Sequence, residues 1–146
     1  MKIAIPSFSI AQLRKFPLLV HATSPRYYEA EGGRKKMLFS CESSNENLFK
    51  THQRWFLNSL GIRNEFVYRV RQVHGNRVYV LNDPTVSVAR VEKEEADAIV
   101  THLSDRSLAV LTADCVPIII YDPVRHVVGV VHAGRKGTEK FIFSNV

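Results

Sequence analysis

From Phe66 onward the apolar residues fall into short runs: Phe66 to Val73, Arg77 to Leu81, Ala98 to Thr101, Leu108 to Thr112, Pro117 to Tyr121 and Val127 to His132. Runs of this length with period-two or continuous apolarity, bounded by turn residues, predict strands. Gly75-Asn76, Asp105-Arg106 and Asp122-Pro123 supply the breaks. The first two runs read as a strand pair joined at Gly75-Asn76. The last two are apolar on both faces and predict central, buried strands. The stretch Asn82 to Glu95 reads as a polar connection.

The period is different before this point. Leu48, His52, Trp55, Phe56 and Ser59 lie along one helical face and predict a helix over Asn45 to Leu60. Ser43 and Glu46 have capping-box spacing, and Gly61 is a C-terminal stop. In the first forty residues, Leu18 to Val20 reads as a strand and Lys36 to Ser40 as its hairpin partner, with Tyr27 to Arg34 in the turn. The expectation is an α+β fold dominated by a sheet. At 146 residues the chain has the length of one domain.

Composition narrows the class. Hydrophobic residues are 45% and charged residues 23%, as in ordinary globular proteins, which excludes collagen-like, disordered and disulfide-dense chains. Two cysteines, Cys41 and Cys115, predict reduced thiols. No membrane span or signal peptide is legible, so the expectation is a soluble cytoplasmic protein. The net charge of +6 suggests an anionic partner. No nucleic-acid-binding motif is present, and Arg34-Lys35-Lys36 reads as a solvated basic turn. Arg69, Arg71 and Arg77 read as the outer face of a sheet.

Three residues sit where strands end beside tight turns: His74, Cys115 and His132. Rigid scaffolds present reactive side chains at such places. Two imidazoles and a thiolate make a three-ligand zinc set with a fourth position left open. Packing or an ordinary hydrogen bond is the plain alternative for each residue alone. A Cys115 nucleophile with His132 as base is another. Asp114 either orients the histidine or caps its own turn. In His132-Ala-Gly-Arg-Lys-Gly-Thr138, Gly134 and Gly137 can let backbone N–H groups cradle an oxyanion, and Arg135 and Lys136 can add charge. An exposed basic turn is the alternative. His21 shows no evident partner, His52 belongs to the helix face, and His102 and His126 read as turn residues.

Gln72-Val-His-Gly75, Glu95-Ala-Asp-Ala98, Thr112-Ala-Asp-Cys-Val-Pro117 and His132-Ala-Gly134 occur in this order. Together they resemble the YfiH family, also called laccase-domain or polyphenol-oxidase-like proteins. The resemblance is strong from about Arg69 to Thr138. It is weaker before that, where His21-Ala-Thr-Ser-Pro-Arg26 looks like a degenerate form of the family's His-Gly-Phe-Ser-Thr-Arg segment. It implies mixed, layered sheets with flanking helices in an αββα-type sandwich. It implies a metal site of His74, Cys115 and His132, and adds Arg26 to the candidate substrate- or phosphate-binding residues.

The implied activity is purine nucleoside phosphorolysis of adenosine, inosine or methylthioadenosine, with adenosine deamination beside it. Copper-dependent phenol oxidation and a Cys–His hydrolase are alternatives. Six histidines without a His-x-His pair disfavour a multicopper centre. The N/N/S donor set suits zinc, and copper also binds such a set. An H-x-E with P-C-x-x-C signature, as in cytidine deaminases, is absent.

The chain departs from the family's His-Ala-Gly-Trp-Arg-Gly in having Arg135 for Trp and Lys136 for Arg. Family members also continue past this motif, so the expectation is the N-terminal larger part of the family fold, incomplete at the C-terminus. Two further expectations are pairing with a second copy through an apolar edge at Phe141 to Val146, and a truncated, inactive metal-binding module as the non-enzymatic alternative.

Overall fold

A computed structural model describes residues 5–37, 39 and 46–146. Cys41, Ser43, Asn45 and the end of the expected strand to Ser40 lie outside the described residues. The chain divides into two compact units, Met1–Asn64 and Glu65–Val146. Helices and three sheets alternate in a mixed α/β fold, the class expected from the sequence. Among the described residues no helix is long and apolar enough to cross a membrane.

In the first unit, the hairpin starts in the segment expected to be its turn, Tyr27 to Arg34, and runs to Lys36. Strands β1 (Tyr27–Ala30) and β2 (Gly33–Lys36) pair antiparallel, with Ala30 opposite Gly33. The intervening Gly32 has φ 88° and Gly33 has φ 102°, a backbone region that only glycine enters freely. The pair of glycines therefore sets the reversal, and Leu18 and Val20 are left exposed. Helix α1 (Glu46–Ser59) matches the expected helix. Its end is a Schellman motif, with Ile62 N–H on Leu57 O and Gly61 N–H on Asn58 O.

The buried face of α1 carries Phe49, His52 and Leu57, so it is rotated from the expected one, and Leu48 and Ser59 are exposed. The aromatic rings set this rotation. Tyr28, His52 and Trp55 meet at centroid distances of 5.3 to 5.9 Å. Tyr28 Oη lies 3.3 Å from His52 Nε2. His21 does have a partner: its Nε2 accepts from Ile10 N–H at 2.9 Å.

The second unit is built on a four-stranded sheet in the order β4-β5-β8-β7. Its strands are β4 (Val78–Leu81), β5 (Ala98–Thr101), β7 (Val116–Asp122) and β8 (Val127–Ala133). β4 and β5 are parallel, while β8 runs antiparallel to both of its neighbours. Period-two alternation buries both faces. Leu81 and Ile99 pack on one side with Tyr68, Val70 and Val91, and Ala98 and Val131 pack on the other with Ile142.

Several expectations change here. The expected hairpin across Gly75-Asn76 does not form. β3 (Val67–Tyr68) instead pairs in parallel with β6 (Ser107–Leu108), which is all that remains of the run to Thr112. β8 is an inner strand, but β7 lies at the sheet edge and is half-buried to exposed, against the expected central position. The connection after β4 contains helix α2 (Val88–Val91), capped by the Ser87 hydroxyl, which accepts from Arg90 N–H. A parallel β4–β5 pair requires such a crossover. The arginines read as an outer face are paired: Arg69 with Glu92, Arg71 with Glu95 and Arg77 with Glu94.

Candidate metal centre

Strand directions gather the candidate residues at one end of the four-stranded sheet. β4, β5 and β7 begin at this end, and β8 finishes there. His74 precedes β4, Cys115 immediately precedes β7, and His132 lies one residue from the end of β8. One donor atom from each of His74, Cys115 and His132 lies within 4.8 Å of the others. The two imidazole rings meet edge to face at 4.8 Å between centroids. His74 is exposed, Cys115 half-buried and His132 buried, so the cluster has a solvent side and a protein side. Cys115 is a free thiol.

Two glycines give this arrangement its closeness. A Cβ on Gly134 would lie 3.1 Å from both Cys115 Sγ and His74 Cδ2, and 3.8 Å from His132 Cε1. All three donor side chains therefore converge over a bare backbone position. Helix α3 (Arg135–Glu139) starts directly after it. Gly137 brings α3 against the His74 loop, because a Cβ there would stand 2.6 Å from Gly75 O. Asn76 Nδ2 donates to Lys140 O at 3.0 Å and fastens the same loop to the end of α3.

The donor set fits a metal ion. Two imidazole nitrogens and a thiolate sulfur are ligands of zinc and also of copper. They converge on one point that is open on one side, as a site with an exchangeable position requires.

The structure also brings in a residue that had only been part of a motif. Asp97 is completely buried, and its side chain reaches the loop and β8 together. Its carboxylate accepts the N–H groups of Val73, His74 and Gly75 at 3.2, 2.9 and 2.7 Å. Asp97 Oδ1 also lies 2.8 Å from His132 Nδ1. The register explains the contact: Ala98 faces Val131, so the preceding Asp97 meets His132, whose N–H also donates to Asp97 O at 2.7 Å. The signal in the sequence was a carboxylate flanked by alanines just before a buried strand.

Asp114 is exposed in the bend before β7, and the carboxylate beside His132 is that of Asp97. Arg135 and Lys136 are exposed on α3. Arg26 belongs to the first unit, just before β1, with its guanidinium 5.7 Å from the Tyr27 ring centroid. Gln72 braces the framework. Its Nε2 donates to Leu111 O and its Oε1 accepts Leu111 N–H, both at 2.8 Å. The side chain thereby imitates one rung of a β-ladder.

The family described as multi-copper polyphenol oxidoreductase laccase matches residues 37–146. A protein of Streptomyces griseus named purine nucleoside phosphorylase is 45% identical over 78 residues, covering 53% of this chain and 31% of that protein. A human protein, also named purine nucleoside phosphorylase, is 37% identical over 81 residues, covering 56% of this chain and 17% of its own length. The matches thus span about a third or less of these relatives. The crystal structure of a YfiH protein from Bacillus licheniformis superposes with a TM-score of 0.70 at 24% identity, over 75% of this chain and 43% of the other. YlmD from Geobacillus stearothermophilus gives 0.66 at 22% identity with the same coverage. These two likenesses show the fold. From its motifs, its sheet and the family match, the chain belongs to the YfiH family of laccase-domain proteins.

Proposed function

We propose that the protein is a zinc-dependent purine nucleoside phosphorylase. The observation that carries this reading is the convergence of His74, Cys115 and His132 within 4.8 Å. The names of the relatives support the reaction class. His74, Cys115 and His132 are the ligands. When bound, the zinc ion supplies Lewis acidity at the open side of the cluster.

The substrates are a purine nucleoside (adenosine, inosine or methylthioadenosine) and inorganic phosphate. A phosphate oxygen attacks C1′ of the ribose, and the C1′–N9 bond breaks with its electron pair leaving on the purine. Arg135 and Lys136, exposed beside Gly134, supply cations for the phosphate dianion. Gly134 and Gly137 keep the backbone close to the cluster. Adenosine deamination is a second activity assigned to the same centre.

A hydrolase reading rests on the same proximity, with Cys115 as nucleophile and a neighbouring imidazole as base. One experiment separates the two. Zinc-loaded protein, with its metal content measured, is incubated with inosine or adenosine in the presence and absence of phosphate. Phosphorolysis releases base and ribose 1-phosphate only with phosphate, and chelation or His74→Ala abolishes it. Base release independent of both phosphate and metal would support the hydrolase. No turnover by fully loaded protein would overturn the phosphorylase, and a metal-free Cys115→Ala protein that keeps full activity would exclude the hydrolase.

A further inference from the structure

Asp97 has no spare hydrogen-bonding capacity. Oδ1 accepts His74 N–H and meets His132 Nδ1, while Oδ2 accepts the N–H groups of Val73 and Gly75. A carboxylate offers acceptors alone, so the proton of this imidazole contact sits on His132 Nδ1. Nε2 is then the nitrogen left with a free lone pair. The same oxygen holds the main chain of His74, whose φ of 59° is one that a non-glycine residue seldom adopts.

We infer that Asp97 is the positioning residue of the centre. Its single buried carboxylate fixes the tautomer of His132 and the backbone of His74, and so prepares two of the three donor side chains. The mere anchoring of a loop would not require the contact to His132. Second partners of this kind orient ligating imidazoles in metal proteins.

The two-and-two arrangement makes Asp97→Asn informative. Placed at the Oδ2 position, the amide NH2 opposes Val73 and Gly75 N–H. Placed at the Oδ1 position, it opposes His74 N–H and requires His132 Nδ1 to accept. The second placement protonates Nε2 and removes the metal-facing lone pair. Neither orientation satisfies all four neighbours.

The first measurement needs no variant. Long-range 1H–15N correlation of the histidine rings in the metal-free full chain, well above the ordinary imidazole pKa of about 6.5, should show His132 protonated at Nδ1. The Nε2-protonated form would overturn the assignment, whatever Asp97→Asn does to folding. The second measurement is zinc affinity by competition with a chromophoric chelator. It rests on the metal-centre reading, and Asp97→Asn should bind about 10–100-fold more weakly than the parent. A folded Asp97→Asn with the parent's tautomer and zinc affinity would reduce Asp97 to a loop anchor and refute the proposal. A parent protein that binds no zinc would defeat the metal-centre reading instead, while the tautomer still decides the role of Asp97.

Discussion

Substituting Gly137 by alanine sets two effects of opposite sign against each other. Gly137 lies inside α3, where alanine is intrinsically favoured by about 1 kcal/mol. The packing opposes it. The new Cβ would stand 2.6 Å from Gly75 O and 3.6 Å from Ile142 Cγ2. Carbon and a carbonyl oxygen are comfortable at about 3.3 Å, so helix and loop must part by about 0.7 Å. The obstacle is main chain, and the N–H groups around it are tied to Asp97. A rotamer change cannot relieve it. Overpacking typically costs about 1–3 kcal/mol, and a main-chain obstacle at 2.6 Å puts this case in the upper part of that range, about 2–3 kcal/mol, which leaves a net loss of about 1–2 kcal/mol after the propensity gain. In a unit of this size each kcal/mol moves the melting temperature by about 4–8 °C, so Gly137→Ala should melt about 4–16 °C below the parent. Thermal unfolding followed by circular dichroism, with urea titration beside it, reads the change. A melting temperature equal to or above the parent's would refute the close approach of α3 to the His74 loop.

Two further outcomes follow from side chains that complete the backbone. Gln72→Leu leaves the N–H and C=O of Leu111 without their partners and should cost about 1–3 kcal/mol in urea unfolding; parental stability would show that the rung is dispensable. In the β7–β8 turn, the carboxyl of Asp122 is held below its ordinary pKa by the N–H groups of Arg125 and Val124, and next by the Arg125 side chain. The stabilisation of this turn is therefore fully present above the unfolded carboxyl pKa of about 4 and is lost as pH falls through the depressed folded value. Asp122→Asn should flatten the acid limb of the stability curve, and an unchanged limb would count against the turn's contribution.

The sequence showed the candidate site better than it showed the sheet. His74, Cys115 and His132 were legible because each follows or precedes an apolar run at a turn. Asp97 was not, because its significance lies in cross-strand register: only the pairing of Ala98 with Val131 brings it to His132. Local pattern also misplaced partners. Gly75-Asn76 has turn chemistry, but its neighbours are held by the Asp97 carboxylate, and the flanking strands pair with β5 and β6. β7 has the apolar content of an inner strand, yet position in a sheet is a property of topology that composition does not encode. In the first unit, Gly32 and Gly33 outweighed the apolar signal of Leu18 to Val20, because a tight reversal needs particular dihedral angles more than it needs hydrophobic flanks.

The donor side chains come from three separate stretches of chain, and their carboxylate support comes from a fourth. No local fragment holds a working pair of donors, since even Cys115 and His132 meet only when β7 and β8 are in register. The entropy of bringing these groups together is therefore met by folding the sheet and not by the ligand. A ligand that binds only this assembled arrangement stabilises the whole unit, by an amount set by its concentration relative to its dissociation constant. The centre thus acts as a lock on the finished topology: opening any one of β4, β5, β7 or β8 at this end releases it.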